Sequence, residues 1–215
     1  MRLVLAVVVL GILAMIAPRM EPFAPQAALD GPLTVVGHST PIRFVLTDRG
    51  TGLRTAEVRL VPASGGDGVV VTRQEFPRQS WFGTGIHATT LATTLDATVA
   101  GLPEGPAELQ VYATDDAWWS VVRHTPRMVH TVTIDLTPPT LAAASAQHRM
   151  KVGGSELVIY RASADAVRSG VQVGALFFPG VKGYFADPDL AGALFTIPVD
   201  DPTRLPQLTA TDAAG

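Results

Sequence analysis

Short runs of β-forming residues, each bounded by Gly, Pro, Asp or Ser, limit the possible folds of this chain more than any other feature. Turn-forming clusters such as residues 63–68 separate the runs, and little of this region has helical periodicity. Strands of this length and spacing are typical of a β-sandwich. The predicted strands are Leu33–Val36, Ile42–Thr47, Ala56–Val61, Val69–Thr72, Ala107–Ala113 and Met128–Leu136. The Thr-rich stretch His87–Val99 is predicted to be either one strand or a pair of strands.

A double proline indicates a boundary between two domains. Pro138 and Pro139 fix φ at consecutive positions and remove two backbone donors, and Pro138 also favours an extended conformation at Thr137. A strand therefore ends here, and a stiff connection follows. We assign residues 31–136 to a first module, 137–139 to a linker and 140–215 to a second module.

The second module repeats features of the first in the same order, which favours tandem modules. In each copy an acidic turn sequence precedes a predicted strand, and a later strand runs into a second acidic turn. The matching segments are Asp48–Leu53 with Asp165–Val171, which leads into a predicted strand Val173–Phe178, and Leu109–Asp116 with Leu208–Gly215. The first module continues from its second turn into Met128–Leu136, whereas the sequence stops at Gly215 inside the equivalent turn. We therefore expect the second module to be incomplete, with an exposed sheet edge.

The N-terminus carries an uncharged apolar run, residues 3–17, between Arg2 and Pro18. This run is short for a spanning helix, which needs roughly 20 residues, and it suits the core of a signal peptide equally well. Met15 disfavours cleavage after Ala17, because a small residue is preferred at that position. We predict a signal-anchor or transmembrane helix at 1–19 in the inner membrane of a bacterial envelope and a Pro- and Ala-rich linker at 20–30. The modules would then be periplasmic, or secreted if the signal is cleaved.

Charge and cysteine content exclude several classes of function. The formal net charge is −3, so there is no electrostatic case for nucleic acid as a partner. The chain has no cysteine, which excludes disulfides, thiolate zinc sites and cysteine nucleophiles.

The sequence Gly83-Thr84-Gly85 lacks the preceding strand and following helix of a dinucleotide loop, and we interpret it as a turn.

The histidines do not form a zinc motif. None begins a His-x-x-x-Asp, His-x-His or His-Glu-x-x-His pattern, and we interpret them as turn and surface residues: His38, His87, His124, His130 and His148. Their pattern predicts that the isolated chain forms no stoichiometric zinc complex.

Two other groups of residues have more than one interpretation. Acidic pairs at Asp115-Asp116, Asp187-Pro188-Asp189 and Asp200-Asp201 are suited either to Ca²⁺ or to capping their own turns. Trp81, Trp118 and Trp119 are suited to sugar stacking or, more commonly, to packing. We therefore assign no catalytic, cofactor-binding or metal-binding residue to this chain from its sequence.

Several segments resemble the membrane-anchored, lysostaphin-type zinc metallopeptidases of Gram-negative bacteria. In that group an N-terminal helix and Ig-like modules precede a C-terminal peptidase domain that cuts peptidoglycan cross-bridges. The resemblance covers nearly all of residues 30–215, but only the non-catalytic part of such proteins. The matching segments are Gly52-Leu53, Gly101–Gly105, Asp135–Pro139, Gly153–Arg161 and Ser169–Gly174, of which the last two are the most specific.

This resemblance implies an all-β chain with two tandem Ig-like β-sandwiches, the second truncated, after an N-terminal hydrophobic helix. The family's His-x-x-x-Asp and His-x-His ligands are absent, so no catalytic residue transfers and zinc is expected only in a domain outside this chain. The implied function is to space or regulate such a peptidase domain, with that domain or peptidoglycan as partner. The alternative is a stand-alone envelope binding or adhesion module with Trp-rich contact loops. A stand-alone enzyme is disfavoured.

Overall fold

The computed structural model describes residues 9–14, 16–66, 68–78, 85–98, 101–118, 125–145, 151–200 and 205–214. These residues are mostly in β-strands, which confirms the all-β prediction. The chain divides into two compact units, Met1–Leu136 and Thr137–Gly215, and the division falls beside the Pro138-Pro139 pair.

The N-terminal segment is helical where it is described. Residues 9–14 and 16 are α-helical, and a 3-10 helix follows at Ala17–Arg19 with Pro18 in its first turn. Within the described residues, none of the helices has the length and apolar character needed to cross a membrane. Residues 1–8 and 15 of the predicted anchor lie outside the described residues, so the anchor remains a prediction.

The first unit contains two sheets. The strands described in it are β1 (Gln26–Leu29), β2 (Val35–Val36), β3 (Thr40–Thr47), β4 (Leu53–Pro62), β5 (Val69–Glu75), β6 (Ala88–Leu95), β7 (Gly105–Asp115) and β8 (Met128–Ile134). One sheet has the order β1-β3-β6, and the other has the order β2-β8-β7-β4-β5. Only the short β2 runs parallel to its neighbour, β8, among these described pairs. The stretch predicted as one strand or two, 87–99, contains the single strand β6 in its described part.

Alternation of apolar and polar residues brings both sheets onto one core. In β3, Phe44 and Leu46 are fully buried while the intervening Val45 is exposed, as expected for side chains that alternate between the faces of a strand. Val58 of β4 and Val111 of β7 are buried in the same cluster from the other sheet. The opposite face of the five-stranded sheet carries charged pairs, such as Arg73 with Glu57, and is solvated.

The second unit also has two sheets. Its described strands are β9 (Leu141–Ala143), β10 (Ser155–Ala162), β11 (Arg168–Val173), β12 (Leu176–Pro179), β13 (Val181–Lys182), β14 (Leu190–Thr196) and β15 (Gln207–Thr211). The sheet orders are β13-β14-β10-β9 and β12-β11-β15. Both sheets contribute to a smaller core, in which Tyr160 is the largest fully buried side chain.

The predicted strand Val173–Phe178 is wrong, because a tight turn interrupts it. Gly174 has φ of 59°, a left-handed conformation that favours glycine, and it ends β11 before β12 begins at Leu176. Gly170, predicted to lie in a turn before the strand, is instead buried inside β11. A side chain there would lie 2.2 Å from the carbonyl oxygen of Phe178. Gly170 is a glycine because the strand has no room for a side chain there, and in the sequence this glycine resembles one that forms a turn.

Strand pairing shows how the two units correspond. When the acidic turns at Asp115 and Asp212 are aligned, the Val58–Val111 pair of β4 and β7 corresponds to the Val171–Leu208 pair of β11 and β15. This register aligns Gly170 with Glu57, so the predicted match between Gly170 and Gly52 is displaced by five residues.

Those two turns have the same local hydrogen bond. Asp115 accepts from the amide of Ala117 at 3.0 Å, and Asp212 accepts from the amide of Ala214 at 2.8 Å. The strands β7 and β15 therefore end in the same way, each with an aspartate that caps the following turn.

Candidate metal centre

Three buried carboxylates meet at one end of the first unit. Glu21, Asp48 and Asp115 are only 8%, 5% and 6% exposed, respectively. One carboxylate oxygen from each residue lies within 4.8 Å of the corresponding oxygens of the other two. Acidic side chains are almost never buried this deeply unless a partner compensates their charge.

The strand pairing brings two of these residues together. Asp48 follows β3 directly, and its amide donates to the carbonyl oxygen of His87 at 2.8 Å. Asp115 is the last residue of β7 and pairs with Leu53 at the start of β4. The loop between β3 and β4 therefore lies against the end of β7. Glu21 comes from the Pro-rich segment before β1 and reaches the same place from outside the sheets.

Backbone amides bind one oxygen of each carboxylate. Asp48 Oδ2 accepts from the amides of Gly50 at 3.1 Å and Gly52 at 2.6 Å. Glu21 Oε2 accepts from the amide of Thr51 at 2.7 Å, and Asp115 Oδ1 accepts from that of Ala117. These charge-assisted hydrogen bonds hold each side chain in one orientation.

Two glycines make room for this arrangement. A Cβ atom on Gly50 would lie 1.6 Å from Glu21 Oε2, so Glu21 can enter only because residue 50 has no side chain. Gly52 has φ of 89°, and a Cβ there would lie 2.8 Å from Gly85 Cα. The loop sequence Asp48-Arg-Gly-Thr-Gly52 is thus required for the geometry of the cluster.

Several oxygens of the cluster are buried without a partner. Within the described part of the chain, Glu21 Oε1 and Asp48 Oδ1 have no hydrogen-bond partner. The Thr51 hydroxyl lies close enough to lower the pKa of Glu21, yet it makes no hydrogen bond of good geometry. Each unpaired buried oxygen costs free energy, so native proteins seldom retain one without a bound water, ion or proton.

The electrostatics of the cluster are unfavourable for three free anions. Burial raises the pKa of Glu21, and the neighbouring charges of Asp48 and Asp115 raise it further. The backbone hydrogen bond from Thr51 lowers the pKa of Glu21 and is second only to burial, but burial and the two neighbouring charges together outweigh it. Like charges at this separation disfavour full ionisation unless a cation or a proton neutralises part of the charge.

The cluster has the chemistry of a hard-cation site. Ca²⁺ binds six to eight oxygens at about 2.3–2.6 Å, so two of its ligand atoms lie at most about 5 Å apart. The three carboxylates satisfy that limit. In the described part of the chain, one unpaired oxygen of Glu21 and one of Asp48 are available as ligands. Thr51 offers a hydroxyl beside them.

The acidic pairs singled out from the sequence lie in different environments in the structure. Asp115 belongs to the cluster, while Asp116 lies 3.9 Å from the guanidinium of Arg54. Asp187 pairs with Arg161 and accepts from the amide of Asp189, so it serves an ion pair and a turn. Asp200 is exposed, and Asp201 lies outside the described residues.

Histidines do not contribute to the cluster in the described part of the chain. His38 contacts the Leu136 carbonyl and the Thr98 hydroxyl, and His130 contacts the Leu33 carbonyl at 2.6 Å. His87 is exposed and contributes its carbonyl oxygen to the loop. His124 and His148 lie outside the described residues. So do Trp81 and Trp119, while Trp118 is 50% exposed.

Glu21 and Asp48 are not among the site residues that the sequence predicts. The sequence predicts Asp48 to be a turn residue. The available signal was the Asp-x-Gly-x-Gly loop at residues 48–52, which precedes β4 and faces the end of its partner strand, β7. Glu21 had no such signal, because it lies in a proline-rich segment without periodicity, 27 residues from Asp48.

Comparison with known proteins gives no family assignment. No family model matches the sequence, and no curated protein matches it either. The resemblance to lysostaphin-type peptidases therefore rests on the segments named above.

Proposed function

We propose that this chain is the non-catalytic N-terminal part of an exported peptidoglycan endopeptidase of the lysostaphin type. Its two β-rich units would space or regulate a C-terminal zinc peptidase domain. The observation that carries this proposal is the repeated strand arrangement, in which the second copy has an open edge where the first has a strand.

The strand arrangement supports Ig-like β-sandwiches. In the first unit, sheets β1-β3-β6 and β2-β8-β7-β4-β5 share one core, and the short β2 runs parallel to β8 at the sheet edge. Two antiparallel sheets with inward-facing apolar residues are the architecture of that class. In the second unit, β9, β10, β11, β12, β14 and β15 take the places of β1, β3, β4, β5, β6 and β7.

The open edge lies along β15. This strand pairs with β11 on one side, and none of the described strands pairs with its other side. In the first unit β8 occupies that position and buries Val132 and Ile134. Beside β15 there is an apolar cleft of about 250 Å³, lined by Ala143, Val158, Val171, Phe195, Pro206 and Leu208. Under this proposal, a strand of the peptidase-containing protein would pack in this cleft.

The two most specific segments of the resemblance meet in the second core. Tyr160, in Gly153–Arg161, and Ser169, in Ser169–Gly174, share a hydrogen bond of 2.9 Å between their hydroxyl groups. Tyr160 is fully buried. Residues that match the family thus form the packing of this unit, which agrees with a structural role for the region.

The rest of the proposal follows from the resemblance and the N-terminal sequence. Residues 3–17 would anchor the protein in the inner membrane, with both units in the periplasm. Its partners would be peptidoglycan or the peptidase domain, and zinc would bind only to that domain. Separation of inner-membrane and periplasmic fractions from cells that express the chain tests the anchor. Recovery in the periplasmic fraction would indicate cleavage.

The reading frame beyond codon 215 tests the proposal itself. We expect it to encode a strand with alternating apolar residues and then the His-x-x-x-Asp and His-x-His motifs. A stop codon directly after Gly215 would contradict the proposal and leave a stand-alone envelope module.

One observation favours that second candidate, a binding or adhesion module. Trp118 is half exposed beside the acidic turn at the end of β7, where an aromatic ring can stack on a sugar. Such a module would cosediment with purified peptidoglycan sacculi, and Trp118→Ala would abolish the cosedimentation. If the variant still cosediments with sacculi, Trp118 is not the residue that contacts peptidoglycan.

A further inference from the structure

We propose that Glu21, Asp48 and Asp115 form a calcium site that links the segment before β1 to the first unit. The site requires no peptidase domain, so it stands independently of the proposed function. It lies wholly within the first unit, at the loop between β3 and β4.

The geometry around the carboxylates supports a cation between them. Each carboxylate has one oxygen bound by backbone amides, so the side chains cannot rotate away from one another without losing those bonds. The remaining oxygens of Glu21 and Asp48 are buried and unpaired in the described residues. A cation that binds these oxygens would satisfy them and offset the repulsion among the three carboxylates.

A non-acidic group gives a second, separate indication. The hydroxyl of Thr51 is buried and lies near the Glu21 carboxylate, but it makes no hydrogen bond of good geometry to any described residue. Thr51 is only 8% exposed. Its own amide donates to Glu21, which places the residue at the cluster. Ca²⁺ binds many oxygen ligands, neutral as well as charged. The Thr51 hydroxyl would supply a neutral ligand beside the carboxylate oxygens of Glu21 and Asp48.

The ligand chemistry selects among the common divalent ions. Carboxylate and hydroxyl oxygens suit Ca²⁺, which accepts irregular coordination. Mg²⁺ demands near-octahedral geometry and gives up its waters reluctantly, so a buried cluster of side chains suits it less. Zn²⁺ prefers histidine and cysteine ligands, and this cluster has neither. The proposal departs from the sequence-based expectation that this chain has no cofactor.

The second unit provides an internal comparison. Asp212 caps the turn equivalent to that of Asp115, but it is only partly buried. Asp165 occupies the position equivalent to Gly52, beside the corresponding loop, and is exposed. No buried group of three acidic residues occurs among the described residues of that unit. The cluster is thus a special feature of the first unit, created by Gly50 and by the approach of Glu21.

The site has a consequence for the position of the N-terminal segment. Glu21 lies two residues after the 3-10 helix that ends the apolar region, and Asp48 and Asp115 belong to the sheets. A bound ion would therefore fix the point where the chain passes from the apolar region into the first unit. Removal of the ion would free that segment while the core remains folded.

Calcium titration of the full 215-residue chain in a non-ionic detergent tests the site. We expect one Ca²⁺ per chain by calorimetry, with a Kd of about 10⁻⁴–10⁻³ M, as for other extracellular calcium modules. Calcium in large excess over Kd should raise Tm by roughly 5 °C. Mg²⁺ and Zn²⁺ should bind at least about tenfold more weakly.

Near-isosteric variants provide the control. Glu21→Gln and Asp115→Asn keep an oxygen that accepts the backbone amide but lose a charge, and each should weaken calcium binding at least about tenfold. Asp212→Asn makes the same change in the equivalent turn of the second unit and should leave binding unchanged. Absence of calcium binding by the folded wild type, equal weakening by Asp212→Asn, or tighter binding of Zn²⁺ than of Ca²⁺ would overturn the proposal.

Discussion

The carboxylate of Glu21 occupies the space that a side chain on Gly50 would need, 29 positions further along the chain. This contact joins a segment without regular structure to a tight loop between two core strands. The same contact explains why residue 50 is glycine although its φ is not in the left-handed region. Space, rather than backbone conformation, sets the requirement.

Gly50→Ala should therefore displace Glu21. We expect a loss of about 1–3 kcal/mol in the free energy of unfolding of the first unit, as for other insertions into packed sites, together with loss of calcium binding. Gly192→Ala is the matched control, because its new methyl would meet neighbours at ordinary distances of 3.4–3.5 Å. Thermal unfolding with and without calcium measures both effects. Equal Tm values for Gly50→Ala and the wild type would contradict this assignment.

The raised pKa of Glu21 predicts a pH dependence in the metal-free protein. The folded state binds a proton on Glu21 more readily than the unfolded state, whose value is near 4.5. The contribution of this group to stability is therefore complete below about pH 4.5 and is lost as the pH rises through the folded pKa. Asp48 and Asp115 face the same carboxylate and strengthen the trend.

The difference between wild type and Glu21→Gln isolates this contribution from other titrating groups. In EDTA, wild type should lose more stability than the variant between pH 4 and pH 7 by urea unfolding, and calcium should restore it. Parallel curves for the two proteins would contradict the raised pKa.

A double-mutant cycle tests the packing of the second unit. A Cβ on Gly180 would lie 1.8 Å from the Tyr160 hydroxyl oxygen, so Gly180→Ala should destabilise this unit by about 1–3 kcal/mol. Tyr160→Phe loses the hydrogen bond to Ser169 and should cost about 1 kcal/mol. Tyr160→Phe also removes the nearer clashing atom and leaves the ring carbon Cζ at 2.8 Å, so the double variant should be more stable than additivity predicts. Additive losses would show that Gly180 does not meet the hydroxyl.

The open edge of β15 predicts uneven hydrogen exchange. Amides of β15 that do not donate to β11 should exchange much faster than the equivalent amides of β7, which has strands on both sides. Mass spectrometry of hydrogen exchange at low protein concentration measures the difference. Equal protection of the two strands would indicate that another segment covers β15.

Much of the fold was predictable because strand periodicity is local. Strand β3 alternates apolar and polar residues, and the double proline ends the first unit, so both follow from neighbours in the sequence. The start of β11 was assigned to a turn because Gly170 is required by a close contact with Phe178, which only the folded pairing creates. Sequence alone does not distinguish that requirement from a turn.

The cluster was less predictable because it depends on contacts between distant segments. The sequence suits Asp115 either to Ca²⁺ or to capping its own turn, but its partners Asp48 and Glu21 lie 67 and 94 positions earlier in the chain. The pairing of β4 with β7, which are separated by two strands in the sequence, brings Asp48 to it. The path of Glu21 is set by the fit against Gly50, for which the sequence has no periodic signal.

Anomalous diffraction from crystals grown in calcium chloride tests the calcium site most directly. We predict one calcium peak between Glu21, Asp48 and Asp115, within about 2.3–2.6 Å of an oxygen from each. Absence of a peak, with a short hydrogen bond between two of the carboxyl groups, would show that a proton rather than an ion neutralises the cluster and would contradict the account.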